Sequence, residues 1–134
     1  MKRIVDFFQK SGVQYFSTVG LDGKPKVRPF QFMLEDGGKL YYCTSNKKKV
    51  FGEISKNRSV EICAMVGSNS WLRLSGTVVF SEDLKLKTRI QETSPLVKSL
   101  YKTPDNPAFE IFYLSGAKGT ISDFSGNPPE EFEL

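Results

Sequence analysis

A cluster of hydroxyl and lysine side chains lies where a strand pattern ends and a helix pattern begins, in the segment Tyr42–Val50. Thr44 and Ser45 follow the apolar residues of the strand, and Lys47–Lys49 occupy the start of the predicted helix. A helix N-terminus already carries a partial positive charge, so each lysine there costs roughly a few tenths of a kcal/mol. A bound anion reverses this cost, because hydroxyls and ammonium groups both donate to phosphate oxygens. The segment therefore indicates a phosphate site, against the alternative of three solvated lysines.

Arg28 is the second candidate, because it is a charged residue inside an otherwise apolar strand and precedes Pro29. The planar guanidinium group of arginine suits two-point contact with a phosphate. If strands 25–33 and 39–44 form a hairpin, Arg28 lies close to Thr44 and to the lysine segment. The alternative is an exposed arginine on an edge strand.

The strand predicted for residues 71–80 carries the third group of candidates. Trp71 and Arg73 share one face of it, where an arginine can stack on a tryptophan, and both types are favoured at buried interfaces. The alternative is a cation–π pair on the surface. Gly76 permits close approach of another backbone or of a ligand. A barrel this small cannot bury both faces of the strand, so Trp71, Arg73 and Val79 favour a partner, most simply a second copy.

Length and composition limit the functions that these residues can serve. The chain has 134 residues, which predicts a single domain over 1–134, and a net charge of +4 without a long basic tract. The absence of histidine excludes histidine-containing triads and most zinc and copper sites. The N-terminus has no apolar core typical of a secretory signal, so Cys43 and Cys63 are expected as reduced thiols in the cytoplasm. They are expected as buried strand residues and not as redox centres. Neither a membrane nor a nucleic-acid partner is expected.

Apolar periodicity and turn residues predict an antiparallel α+β fold, most simply a small barrel of six or seven strands with peripheral helices. Pro25 and Pro29 place their strand at an edge or at a bulge. Ser45-Asn46 is the predicted N-cap of the second helix, and Ser125–Pro129 is expected to end the ordered part. The predicted helices are 2–11, 46–57 and 83–101, the last broken at Ser94-Pro95, and the predicted strands are 13–19, 24–33, 39–44, 60–66, 71–80, 108–114 and 118–124.

Four segments taken together resemble one known family. They read RPFQF, LYYCTSNKKKVF, WLRLSG and SPLVKSLYKTPDNPAFEIFYL. Their order and spacing are similar to those of the FMN-binding split-barrel proteins related to pyridoxamine 5′-phosphate oxidase. The resemblance extends from Phe7 to about Gly126. It implies a split β-barrel and a homodimer with FMN at the subunit interface.

The resemblance also implies roles for particular residues. The phosphate ligands would be Arg28, Thr44, Ser45, Lys48 and Lys49. Pro29, Phe30 and Gln31 would lie along the flavin ring, Trp71 and Arg73 would approach it from the second subunit, and Phe124 would border it.

The chain departs from true pyridoxamine phosphate oxidases, because it lacks a C-terminal segment with the arginine and histidine of their substrate motif. The expected function is therefore an FMN-dependent oxidoreductase acting on a small oxidised or nitro-aromatic molecule. Its electron donor would be a reduced nicotinamide or a redox protein, and no residue stands out as its acid or base. The alternatives are a non-enzymatic flavin carrier or sensor, a deazaflavin-binding protein and, last, a nucleic-acid-binding barrel. Haem is disfavoured because no histidine is available as an axial ligand.

Overall fold

A single antiparallel sheet forms the framework of the computed structural model, which describes residues 1–134. The strand order is β2-β1-β5-β6-β7-β4-β3, with β8 paired to β7. The elements in chain order are α1 (Lys2–Ser11), β1 (Gln14–Val19), β2 (Pro25–Phe30), β3 (Leu34–Asp36), β4 (Lys39–Ser45), α2 (Lys49–Lys56), β5 (Ser59–Val66), β6 (Ser70–Ser81), α3 (Leu84–Thr93), α4 (Pro95–Tyr101), β7 (Phe109–Asp123) and β8 (Glu130–Glu133). The predicted α+β split barrel with peripheral helices is confirmed. None of the four helices combines the length and the hydrophobicity that a membrane span requires.

The sheet curls around an aromatic core. Phe16 of β1 stacks on Phe30 of β2 with their ring centroids 4.5 Å apart, and Phe30 in turn lies 6.3 Å from the ring of Tyr42 in β4. Strands β2 and β4 are not hydrogen-bonded neighbours, yet their side chains meet in this core. The barrel is therefore closed by side-chain packing at this point, and its backbone is split between β2 and β4.

Two features that local residues predicted are present in the sheet. Strand β2 pairs only with β1, as expected for an edge strand that contains Pro25 and Pro29. At Gly76 a Cβ atom would lie 3.1 Å from the Cβ of Leu114, so the glycine does permit a close approach of β7. The pairing register of β6 with β7 also shifts beside Gly76, between Ser75 and Thr77.

Several predicted boundaries were wrong. The predicted strand 24–33 ends at Phe30 and β3 forms separately, and together with β8 this gives eight strands. The two strands predicted at 108–114 and 118–124 are the single strand β7 (Phe109–Asp123), because the shift of register accommodates Gly116, whose φ is 58°, without breaking the ladder.

The C-terminal residues do not end the ordered part at Pro129 either. Residues Glu130–Glu133 form β8 on residues Lys118–Ile121 of β7. Phe132 packs against the main core, and the backbone N–H of Leu134 donates to the carbonyl of Ala117. Burial of Phe132 and the free edge of β7 explain why a segment rich in glutamate pairs as a strand.

Candidate functional site

The lysine segment forms the start of α2, although the helix begins three residues later than predicted. Ser45 and Asn46 are not its cap, because the N-cap position is Lys48 and no side chain caps the helix. The first turn contains no acidic residue, Lys47–Lys49 are all exposed, and none of them forms an ion pair. The helix therefore presents free N–H groups and uncompensated positive charge at one point, as an anion site requires.

Thr44 adds a buried hydroxyl beside this helix. The residue is 3% exposed, and its Oγ1 atom has no hydrogen-bond partner. A buried hydroxyl without a partner is destabilising, by roughly 1–3 kcal/mol in proteins generally. Ser45 is half-buried, and its Oγ atom accepts a hydrogen bond from the backbone N–H of Lys47 at 3.2 Å. An acceptor at this end of β4 would satisfy the Thr44 hydroxyl.

A cavity of about 170 Å³ adjoins Thr44 and Lys48 at the split between β2 and β4. Pro29, Phe30 and Gln31 line its opposite side. These five predicted site residues are therefore brought together, but not by the hairpin on which the sequence argument relied. Strand β2 pairs with β1 only, and it reaches β4 through the curl of the sheet.

Helix α4 supplies the remaining wall of the cavity, which the sequence analysis did not anticipate. Leu96 and Leu100 are four residues apart and line the cavity together with Tyr101. Both leucines are largely exposed, which is unusual for large apolar side chains on the same helix face. The spacing of the two leucines could have indicated an apolar face on α4, because residues four apart share one helix face.

Cys43 and Tyr101 are the cavity residues with altered acidities. Burial raises the pKa of the Cys43 thiol to about 12, with a smaller opposing effect from Lys48. Burial also raises the pKa of the Tyr101 hydroxyl. Both groups are consequently neutral near pH 7. Cys43 and Cys63 lie within β4 and β5, as predicted, but both are half-buried and not fully buried.

Arg28 does not line this cavity, and its guanidinium group contacts β1 and α2 instead. Its Nη1 atom donates to the Thr18 hydroxyl at 2.8 Å and to the Phe16 carbonyl at 3.2 Å. Its Nη2 atom donates to Oε1 of Glu53 in α2 at 2.6 Å. Sequence reasoning missed Glu53, although a charged residue between the buried Val50 and Ile54 on an amphipathic helix was a usable signal.

Trp71, Arg73 and Phe124 lie apart from this cavity, and none of them lines it. Trp71 packs on Phe124 with ring centroids 5.0 Å apart. Arg73 does not stack on Trp71 but forms an ion pair with Glu61 at 2.7 Å. Arg73 and Glu61 line a separate groove of about 530 Å³ beside β8. Within one chain, the predicted site residues therefore form two groups.

The second group lies on the outer sheet face, which we define by the side chains of Tyr15, Val27, Met65, Trp71 and Phe124. Strand register carries this face across the sheet, since Pro29, Tyr15, Cys63, Arg73 and Thr120 are consecutive partners in five strands. Tyr15 is 53%, Val27 67% and Phe124 75% exposed. The face is therefore a continuous surface with several uncovered apolar side chains, and Pro29 joins it to the cavity.

The split barrel matches a known class of proteins. Residues 1–120 match the family model described as pyridoxamine 5′-phosphate oxidase. The chain therefore belongs to the family related to pyridoxamine 5′-phosphate oxidase, as its motifs predicted.

Solved structures agree with this assignment. A NimC/NimA family protein from Clostridium acetobutylicum is 36% identical, with a TM-score of 0.91, and the match covers 100% of this chain and 93% of that chain. General Stress Protein 26 from Bacillus anthracis has a TM-score of 0.79 at 22% identity, covering 99% and 97%. A pyridoxamine 5′-phosphate oxidase-related, FMN binding protein from Nostoc punctiforme has a TM-score of 0.73 at 17% identity, covering 97% and 86%. The latter two show the shared fold only.

Other proteins with this fold are named for other cofactors. They include a heme binding protein from Mycobacterium smegmatis, 14% identical with a TM-score of 0.75, covering 95% of this chain and 55% of that chain. They also include an F420 reductase, 19% identical with a TM-score of 0.61, covering 81% and 89%. No curated protein matches the chain significantly by sequence.

Proposed function

We propose that this protein binds FMN at the split between β2 and β4 and acts as a flavin-dependent oxidoreductase on a small molecule. One observation carries the proposal. The cavity of about 170 Å³ unites Pro29, Phe30 and Gln31 with Thr44 and Lys48, the last at the uncapped start of α2. An apolar cavity beside a concentration of hydrogen-bond donors suits a molecule with an aromatic ring and a phosphate group.

The residues at the helix start fit the phosphate. The Thr44 hydroxyl is buried without a partner, and the free N–H groups of α2 lie beside Lys48 and Lys49. The phosphate would be held by these groups, Ser45 and Arg28. Its negative charge would offset the unfavourable placement of lysines at a helix N-terminus.

The cavity walls fit the ring. Pro29 and Phe30 supply apolar surface from β2, and Leu96 and Leu100 supply it from α4. Such walls exclude water and orient the ring, while the flavin when bound supplies the electron transfer. The chain's own contribution is therefore binding, orientation and positive charge.

A carrier or sensor without turnover is the second candidate. It is favoured by the raised pKa values of Cys43 and Tyr101, which keep both groups protonated near pH 7 and so remove them as bases. Steady oxidation of a reduced nicotinamide or a redox protein in the presence of an acceptor would support the oxidoreductase. Bound flavin without such turnover would support the carrier.

Absorbance titration with FMN, and with riboflavin as the matched control, tests the proposal. We expect a bound-flavin spectrum and at least about tenfold tighter binding of FMN, because only FMN carries the phosphate. Equal affinity for both flavins would contradict the phosphate site. Preference for F420 over FMN would favour the alternative of a deazaflavin-binding protein, since the deazaflavin F420 also carries a phosphate.

The outer sheet face supports a further part of the proposal, a homodimer. Covering Tyr15, Val27 and Phe124 with the same surface of a second copy would remove exposed apolar side chains from water. It would also bring Trp71 and Arg73 of one copy towards Pro29 of the other.

Sedimentation of the purified protein tests the dimer. We expect a mass of twice the 15.1 kDa chain at micromolar concentration. Replacement of Val27 with lysine, in the β2 edge strand of the face, should shift the protein towards the monomer. A wild-type monomer at these concentrations would contradict the proposal.

The nature of the substrate and donor, and the cytoplasmic location, stay predictions.

A further inference from the structure

A buried polar network links the two elements that carry the candidate phosphate ligands. Glu53 of α2 accepts hydrogen bonds from Arg28 of β2 at 2.6 Å and from the Thr18 hydroxyl at 2.7 Å. The Glu53 side chain is 7% exposed and that of Arg28 24% exposed. Thr18 also accepts from Arg28, so the three side chains form a closed set of contacts.

This network holds the guanidinium group of Arg28 in one orientation but does not use all of its N–H donors. A guanidinium group has five N–H donors in one rigid plane. Three contacts occupy Arg28, namely Glu53, Thr18 and the Phe16 carbonyl. Two donors are therefore free for an anion, and the orientation of the plane is set by the contacts already made.

Burial of an ion pair does little for stability by itself. The desolvation cost of two charges commonly cancels their attraction, and an apolar pair of similar volume is often equally stabilising. What an apolar pair cannot do is hold an arginine in one orientation. Glu53 is also four residues after Lys49, so it joins β2 to α2 one turn beyond the lysine at the start of that helix.

We infer that Glu53 is a positioning residue for the phosphate site, acting through Arg28. Its carboxylate fixes the guanidinium plane of Arg28 and ties β2 to the helix whose first turn carries the lysines. The inference rests on the proposed function, because it presupposes that Arg28, Lys48 and Lys49 bind a phosphate.

Two roles of the Glu53 carboxylate, repulsion of an anion and positioning of Arg28, predict opposite changes in FMN affinity when Glu53 is replaced. A carboxylate close to an anion site weakens anion binding, so if charge alone mattered, Glu53→Gln would strengthen the binding of FMN. If Glu53 positions Arg28, the same substitution weakens it. The direction of the change therefore distinguishes the two roles.

The test is the ratio of the riboflavin and FMN dissociation constants, which isolates the contribution of the phosphate. For Glu53→Gln we expect this ratio to fall by about fivefold or more, with riboflavin affinity within about twofold of wild type. Glu130→Gln is the matched control, because Glu130 pairs with Arg3 at 2.8 Å on the exposed surface. It should leave the ratio unchanged.

A double-mutant cycle with Arg28→Ala tests whether Glu53 acts through Arg28. In the Arg28→Ala background, Glu53→Gln should cause no further fall of the ratio. A full additional fall would overturn the positioning role. So would an unchanged or raised ratio for Glu53→Gln in a protein whose wild type prefers FMN.

Two further outcomes are also decisive. A wild type that binds riboflavin and FMN equally overturns the proposed phosphate site together with this inference. If Glu53→Gln does not fold, Thr18→Val removes one donor to the same carboxylate without a change of charge. That variant should lower the ratio by about twofold, and an unchanged ratio would overturn the inference.

Discussion

Replacement of Lys48 and Lys49 with alanine is expected to weaken FMN binding by about thirtyfold, or about 2 kcal/mol, while riboflavin binding is unchanged. Both lysines lie at the start of α2, are exposed and have no carboxylate partner. Their ammonium groups are therefore free to contact a phosphate, and only FMN offers one. Fluorescence quenching of each flavin measures the two affinities.

The same variant should not be destabilised. Lysines oppose the partial positive charge of a helix N-terminus, so their removal should leave the free energy of unfolding unchanged or raise it by roughly a few tenths of a kcal/mol. Urea denaturation without flavin measures this. A variant that loses both stability and riboflavin binding would point to a structural role instead of a phosphate contact.

Lys56→Ala with Lys85→Ala is the matched control for charge. It also removes two exposed lysines, and Lys85 occupies the first turn of another helix, where Asp83 provides the cap. This control should retain the affinity of wild type for FMN within about twofold, because long-range charge effects are weak at ordinary salt. An equal loss in both variants would show that net charge, and not a local phosphate site, attracts FMN.

Replacement of Phe16 with alanine is expected to lower the free energy of unfolding by about 3–5 kcal/mol. Phe16 is 0% exposed, stacks on Phe30 and lies 5.7 Å from the ring of Phe112. Its removal leaves a cavity at the point where β2 meets the rest of the core. Because β2 is an edge strand that pairs only with β1, no other strand pairing can compensate for the loss of this aromatic packing.

Phe16→Ala should also weaken binding of FMN and riboflavin alike. Phe30 lines the candidate flavin cavity and rests on Phe16, so loss of Phe16 frees Phe30 to move. Leu84→Ala is the control, since Leu84 is largely exposed and should change stability by less than about 0.5 kcal/mol. A stable Phe16→Ala variant would contradict the role of the aromatic core in closing the barrel.

Local signals in the sequence were sufficient for the features that depend on neighbouring residues. Pro25 and Pro29 predicted an edge strand, because a proline lacks the N–H that a second neighbour would need. Ser94-Pro95 predicted the break between α3 and α4, and Ser94 does cap α4. The run of hydroxyls and lysines predicted the place of the candidate anion site for the same reason, since helix ends and their charges are local.

Contacts between distant residues were decided only in the tertiary structure. Glu53 meets Arg28 across 25 positions of sequence, and α4 reaches the cavity from a segment about 50 positions beyond Thr44. Strand β8 pairs with β7, although the ordered part was expected to end at Ser125–Pro129. Periodicity shows which face of an element is buried but not what covers it.

The candidate site illustrates both contributions. The residue types and their order predicted the family and the split barrel. They also indicated which groups could bind a phosphate and an aromatic ring. The curl of the sheet decided that Pro29 and Phe30 would face Thr44 and Lys48 without a hairpin between their strands. The physical reason is that the aromatic side chains of β1, β2 and β4 bury one another only when the sheet closes, and that closure is a property of the whole chain.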